Sequence, residues 1–191
     1  MNIINDIRER ITGRLAVTDG EALALYDYVQ KAGGGLHLEI GCLYGGTAII
    51  AALAGAEVIT IDPMRGGWWE ADTPDPATGI SPNGAIVHSN FIKFGVNNKV
   101  TVIPDYSYNY IPKMLEHPTT ALIDGDHSRV GSLADWLMLS PIVKKYILVH
   151  DYDPVHPGVI ETIEKNIYYD PSWKMVDLIE HMAIFERVQN A

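Results

Sequence analysis

The sequence predicts an α/β chain built as a Rossmann-like, doubly wound and mainly parallel sheet, with helices on both faces and antiparallel strands at its C-terminal end. Three observations predict it. From residue 36 onward, apolar stretches of strand length alternate with stretches of helical periodicity. That alternation implies βαβ crossovers, hence parallel strands covered by helices. The residues Glu39, Asp62, Asp105, Asp124, Asp126, His150 and Asp151 all fall at or just after predicted strand ends. Ligands bind beyond the carboxyl ends of such strands. Finally, a glycine-rich turn, Gly41-Cys42-Leu43-Tyr44-Gly45-Gly46, joins the first strand to the next helix.

Each element has its own signal. Ile3, Ile4, Ile7 and Ile11 recur at helical spacing and predict a helix over 2–14. Thr18-Asp19-Gly20-Glu21 forms a capping box before a second helix that ends at Gly33-Gly34-Gly35. Strands follow at 36–40, 57–61, 100–103, 120–123 and 146–149, with helices at 47–54, 84–94, 110–115, 132–143 and 159–167 between and after them. Two short strands, 174–179 and 182–187, close the chain. Residues 64–82 are rich in Gly, Pro, Asp and Trp and read as a long excursion, either a lid or an insertion.

The chain has 191 residues, of which 47% are hydrophobic and 20% charged, which suits one domain over 1–191 with N-terminal helices in 1–32. No apolar run reaches the length of a bilayer. The N-terminus lacks an apolar leader core, so a cytoplasmic location is expected. Cys42 is the lone cysteine, which excludes an intrachain disulfide framework. A net charge of −10 argues against a nucleic-acid surface, leaving a small molecule as the expected partner.

The turn carries the chemistry. Gly41, Gly45 and Gly46 let the backbone approach a ligand closely. Their spacing is G-x-x-x-G-G, whereas G-x-G-x-x-G is the form that seats a dinucleotide pyrophosphate. Glu39 stands just before the turn, where a carboxylate would repel a pyrophosphate but could pair with an ammonium. Asp62 ends the next strand, where an acid accepts ribose hydroxyls. A ligand with a ribose, a cationic amino-acid tail and no phosphate is S-adenosyl-L-methionine.

Residues 15 to about 165 resemble the class I S-adenosylmethionine-dependent methyltransferases, and within them the small bacterial group related to the catechol and caffeoyl-coenzyme A O-methyltransferases. The matching stretches are TDGEALALYDYVQKA with LEIGCLYGGTA, then ITIDP, NNKVTVIPDYS, ALIDGDHSRVGSLADW and YILVHDYDPVHPGV. The resemblance implies the class I methyltransferase fold and assigns roles. Glu39 and Gly41 would line the methionine-tail pocket with Tyr44, Gly45 and Thr47, and Asp62 with Pro63 would meet the ribose. Asp105 and Tyr106 would border the adenine, although relatives often carry Gly-Asp-Ser there. Asp124 and His127 would face both donor and acceptor.

In metal-dependent relatives the acids after the fourth and fifth strands bind a divalent cation, and Asp124 and Asp151 match them. Hard carboxylate ligands suit Mg²⁺. The relatives' following Asn is Tyr152 here. His127 stands where those relatives place a general-base lysine, and an imidazole of pKa ~6.5 could take a hydroxyl proton at neutral pH. Asp126 and His127 could instead cap the following helix. Trp68 and Trp69 could close over an acceptor, or pack on the domain surface or in a homo-oligomer interface. His88 and His156 read as surface or packing histidines. A methyl transfer to a small-molecule hydroxyl is therefore expected. A nicotinamide-dependent oxidoreductase and a non-catalytic nucleoside-binding protein are the alternatives.

Overall fold

The computed structural model describes residues 3–65 and 73–188. Two helices, α1 (Ile3–Arg10) and α2 (Asp19–Lys31), precede the alternating part. There follow β1 (Gly35–Ile40), α3 (Gly46–Leu53), β2 (Ala56–Ile61), α4 (Gly84–Lys93), β3 (Val100–Ile103), α5 (Ser107–Tyr110), β4 (Thr120–Ile123), α6 (Arg129–Leu139), β5 (Tyr146–Val149) and α7 (Pro157–Lys165). β6 (Trp173–Ile179) and β7 (Met182–Arg187) end the described chain, and short 3-10 turns lie at Ile111–Lys113 and Ile167–Tyr169.

The seven strands form one sheet in the order β3-β2-β1-β4-β5-β7-β6. β1 to β5 are mutually parallel, while β7 runs antiparallel to β5 and β6 antiparallel to β7. The order reverses at β1, so the crevice lies between β1 and β4, where such sheets bind ligands.

Both faces of the sheet are buried, as the apolar runs of its central strands require. On one face Leu122, Leu148 and Ile184 pack with Ile4, Leu25, Ile49 and Phe91 of α1–α4. On the other, Ala121, Ile123, Ile147, Val149 and Phe185 pack with Trp136, Leu139, Val159 and Ile163 of α6 and α7. Neighbouring strand residues thus point to opposite sides, the period-two consequence of the pleat. Trp136 anchors the second layer, meeting Trp173 and Phe185 edge-on at 5.6 and 5.4 Å. Truncating so large a buried side chain costs about 3–5 kcal/mol.

The local signals explain most boundaries. The Thr18 hydroxyl accepts from Glu21 N at 3.2 Å and Thr18 N donates to Glu21 Oε2 at 2.8 Å, which is the predicted capping box. α1 stops at Arg10, short of residue 14. Gly13 has φ +98°, and a β-carbon there would lie 2.4 Å from the Tyr44 ring. α6 starts at Arg129 rather than 132, because Ser128 caps it by accepting from Gly131 N at 3.1 Å. α7 starts at Pro157, earlier than 159, since proline suits the first helical position. The helix expected at 110–115 is replaced by α5 and a 3-10 turn containing Pro112, whose missing N–H cannot extend an α-helix.

Register places the site. Ile40 lies level with Ile61 and Ile123, Ile61 with Ile103, and Ile123 with Val149. The next residues along each strand therefore emerge on one rim.

Candidate functional site

That rim opens into a cavity of about 830 Å³, large enough for a nucleoside-sized ligand with an acceptor beside it. Gly41, Tyr44, Thr47, Asp62 and Pro63 line it, as do Asp105, Tyr106, Asp124, His127 and Asp151. His150, His156 and Asp135 also line it. Glu39 and Gly45 are not on its wall.

The turn after β1 is shaped by two glycines. Gly41 has φ +91°, and a β-carbon on it would sit 2.0 Å from the Asp124 carbonyl oxygen. This close approach brings the β1 and β4 ends together. Gly45 has φ +81° and lies beneath the wall, against the Phe91 ring. Tyr44 is buried and donates to the Ile80 carbonyl at 2.7 Å, with Thr78 Oγ1 at 3.0 Å. It ties the turn to residues 78–80. Arg14 pairs with buried Asp75 at 2.8 Å on the same side, so the described part of the 64–82 excursion is pinned to the domain. Trp68 and Trp69 lie outside the described residues.

Glu39 corrects one expectation. It is fully buried, and the Thr47 hydroxyl donates to its Oε1. Its other oxygen has no hydrogen-bond partner among the described residues. Burial pushes its carboxyl up to about 8, outweighing the Thr47 hydrogen bond. It lies under the cavity floor and not on the wall where an ammonium was expected to meet it. Thr47, which does line the cavity, is the group that Glu39 holds.

Asp62 is oriented by the backbone. Its Oδ2 accepts from Cys42 N at 2.9 Å and its Oδ1 from Met64 N at 2.8 Å. The carboxylate is thereby fixed at the cavity edge with lone pairs remaining. Across the cavity, Asp105 Oδ1 accepts from Tyr106 N at 2.7 Å and from Asn109 Nδ2 at 2.8 Å. Tyr106 stacks on Tyr108 at 5.1 Å and carries the Arg65 guanidinium at 5.1 Å from its ring. Ser107 donates to Asp135 at 2.6 Å, and burial raises the Asp135 carboxyl to about 6. Asp135 was not legible as a site residue. It lies inside α6, where the sequence gives only a helical position.

At the ends of β4 and β5 two acids and three histidines converge. His127 Nε2 lies 2.8 Å from Asp151 Oδ2 and 3.3 Å from Asp124 Oδ1. His150 Nδ1 lies 3.2 Å from Asp124 Oδ1 and 3.3 Å from Asp151 Oδ1. Its other ring nitrogen meets buried Glu21 at 3.3 Å, and Glu21 also accepts from His181 N at 3.0 Å. His156 packs on His127 with ring centroids 4.7 Å apart, and its Nδ1 is 3.7 Å from Asp151. It is thus a packing histidine, as expected, set against the cluster; His88 is exposed. Asp151 adopts φ +59°, a left-handed conformation that aspartate tolerates and that turns its carboxylate back toward the cluster.

The charges are mutually supporting. Burial lowers the His127 pKa, but hydrogen bonds and charges from Asp124 and Asp151 outweigh it and raise the value to about 9. For His150, burial is likewise overcome by Asp124, Asp151 and Glu21, which hold its proton firmly. Asp124 and Asp151 are held below the usual carboxylate range despite burial, because the two imidazoles face them. Asp124 and Asp151 therefore hold the His127 proton more firmly than a free imidazole holds its own. Tyr152 turns away from the cluster, its hydroxyl 3.1 Å from Glu164 and 3.4 Å from that of Tyr168.

No protein-family model matches the chain, and no curated protein matches it. Solved structures do. The O-methyltransferase from Bacillus cereus in complex with S-adenosylhomocysteine aligns over 97% of this chain and 90% of its own, at 17% identity and a TM-score of 0.70. The O-methyltransferase TomG from Streptomyces achromogenes, involved in tomaymycin synthesis and bound to S-adenosylmethionine, aligns over 100% and 91%, at 15% identity and a TM-score of 0.70. The S-adenosylhomocysteine-bound methyltransferase PaMTH1 of Podospora anserina aligns over 98% and 86%, at 17% identity and a TM-score of 0.65. The chain has the class I methyltransferase fold, with its antiparallel β7 and β6 at one edge.

Proposed function

We propose that the chain is an S-adenosylmethionine-dependent methyltransferase acting on a hydroxyl of a small molecule. The observation that carries the reading is the pairing of Gly41 and Asp62 on one cavity wall. Gly41 lets the β1 turn close against the Asp124 backbone at the end of β4, and Asp62 is held by two backbone N–H groups, ready to accept ribose hydroxyls. The likeness to O-methyltransferases bound to S-adenosylhomocysteine or S-adenosylmethionine supports the same reading.

In this reading the methionine tail lies along Gly41, Tyr44 and Thr47, and the ribose on Asp62 beside Pro63. The adenine lies between that wall and Asp105–Tyr106. The acceptor approaches from the Asp124, His127 and Asp151 side. Its oxygen gives up a proton and attacks the methyl carbon in line with the C–S bond. That bond breaks, and S-adenosylhomocysteine leaves. His127 accepts the proton once it has lost its own, and Asp124 and Asp151 hold the resulting imidazolium. Alignment over an already activated sulfonium supplies much of the acceleration.

Mg²⁺, which the family resemblance implies, does not fit the donors present. Asp124 and Asp151 supply oxygens, but imidazoles flank them and Tyr152 points elsewhere. No step is assigned to Mg²⁺. No helix among the described residues is long and apolar enough to cross a membrane. The test is S-adenosylhomocysteine release from S-adenosylmethionine with a panel of phenols, catechols and aliphatic alcohols. Turnover that requires an acceptor and fails in Asp62→Ala is expected. Hydride transfer from a nicotinamide cofactor in the same chain would overturn the proposal.

A further inference from the structure

We propose that Asp135, braced by Ser107, reads the exocyclic amino group of the methyl donor's adenine and so sets the base specificity of the donor site. The inference rests on the methyl-donor reading and deepens it, assigning a residue inside α6 to one end of the ligand. Asp135 is only 4% exposed, yet it lines the cavity. The Ser107 hydroxyl donates to its Oδ1 at 2.6 Å, and no Lys, Arg or His pairs with the carboxyl among the described residues. Its Oδ2 has no hydrogen-bond partner among them either. That oxygen stands beside Gly125 of the cavity wall, where a β-carbon would lie 3.4 Å from it.

The surroundings point to the adenine. Gly131, Ala134, Asp135 and Met138 line the cavity at helical spacing, so one face of α6 meets the ligand. Asp135 is the one polar side chain of the four. An apolar strip suits the flat side of a base, and a single polar group suits its edge. Ser107 begins α5 directly after Asp105 and Tyr106, so the carboxyl belongs to the wall assigned to the adenine. The acceptor's side, at Asp124, His127 and Asp151, is a separate part of the cavity. A buried carboxyl inside a helix is costly when one hydrogen bond serves it, and an apolar side chain would fill the place without that cost. The amino group of adenine supplies the missing donor. Hypoxanthine, which carries a carbonyl in place of that amino group, would set an oxygen against Oδ2.

Calorimetric titration of the full chain with S-adenosylhomocysteine and with S-inosylhomocysteine, its hypoxanthine counterpart, supplies the test. It is run at about pH 8, above the range to which burial raises the carboxyl, so that Asp135 is ionised and accepts. The unaltered chain should bind the adenine form about tenfold to hundredfold more tightly, a measurement that needs no variant. Asp135→Asn keeps the size of the side chain but presents an amide that can turn its oxygen or its nitrogen to the base. It should bring the two affinities to within about threefold of each other. Ser107→Ala should narrow the gap part-way, and Ser107→Thr, which keeps the hydroxyl, should preserve it. A merely structural role for Asp135 would weaken both ligands alike and leave their ratio unchanged. That result, or an unaltered chain that binds both forms equally, overturns the inference while the methyl-donor reading stands. Failure of the unaltered chain to bind S-adenosylhomocysteine at all overturns that reading, and this inference with it.

Discussion

His127 Nε2 stands 2.8 Å from Asp151 Oδ2, joining the loop after β4 to the loop after β5 across the cavity. The contact decides the protonation of the candidate base. An imidazole between Asp151 and Asp124 keeps its proton to a higher pH than a free one, so proton acceptance by His127 shifts toward the alkaline side.

Asp151→Asn removes one of the two carboxylates facing His127. The His127 pKa is expected to fall from about 9 toward ~6.5. Ring-nitrogen NMR titration in the presence of a chelator reads this directly. An unchanged value would mean that Asp124 alone holds the proton.

Gly41 and Gly84 predict opposite outcomes for the same substitution. A β-carbon at Gly41 meets the Asp124 carbonyl at 2.0 Å with φ at +91°, so Gly41→Ala should cost about 2–4 kcal/mol and weaken S-adenosylhomocysteine binding. Gly84, at the start of α4, has nothing within 4 Å and no left-handed φ, so Gly84→Ala should be neutral or stabilising by about 0.4–1 kcal/mol. Urea denaturation compares the two.

His37 predicts a pH dependence separate from the site. It is fully buried beneath the sheet surface with Nδ1 2.8 Å from Thr120 Oγ1, and burial lowers its pKa to about 3. The unfolded chain takes up this proton below ~6.5, whereas the folded chain does not. Its neutral-state stability is therefore present above ~6.5 and is lost as pH falls toward 3, by up to about 1.4 kcal/mol per pH unit. The stability difference between the parent and His37→Gln should shrink over that window in denaturation curves measured at several pH values. A difference constant with pH would contradict the assignment.

The sheet was legible because strand ends and apolar runs are local signals. The register of Ile40, Ile61, Ile103, Ile123 and Val149 then carries Asp62, Asp124 and Asp151 to one rim without further information. The role of Glu39 was not legible, because an acid beside a glycine turn reads the same whether it faces ligand or is buried against Thr47. The packing partner of His156 was not legible for a similar reason. Its place in the cluster depends on α7 starting at Pro157 and on the turn at Asp151, neither of which spacing reveals. Glu21 was legible as a cap, but its second role behind His150 needs the packing of α2 against the end of β5.

The central claim is that the Gly41–Asp62 wall binds a methyl donor's nucleoside and amino-acid tail. Calorimetric titration of the unaltered chain and Asp62→Ala with S-adenosylhomocysteine and with NAD tests it most directly. The account predicts saturable S-adenosylhomocysteine binding, weakened about tenfold or more in Asp62→Ala, and no comparable NAD binding. Binding of NAD with no response to S-adenosylhomocysteine would contradict it.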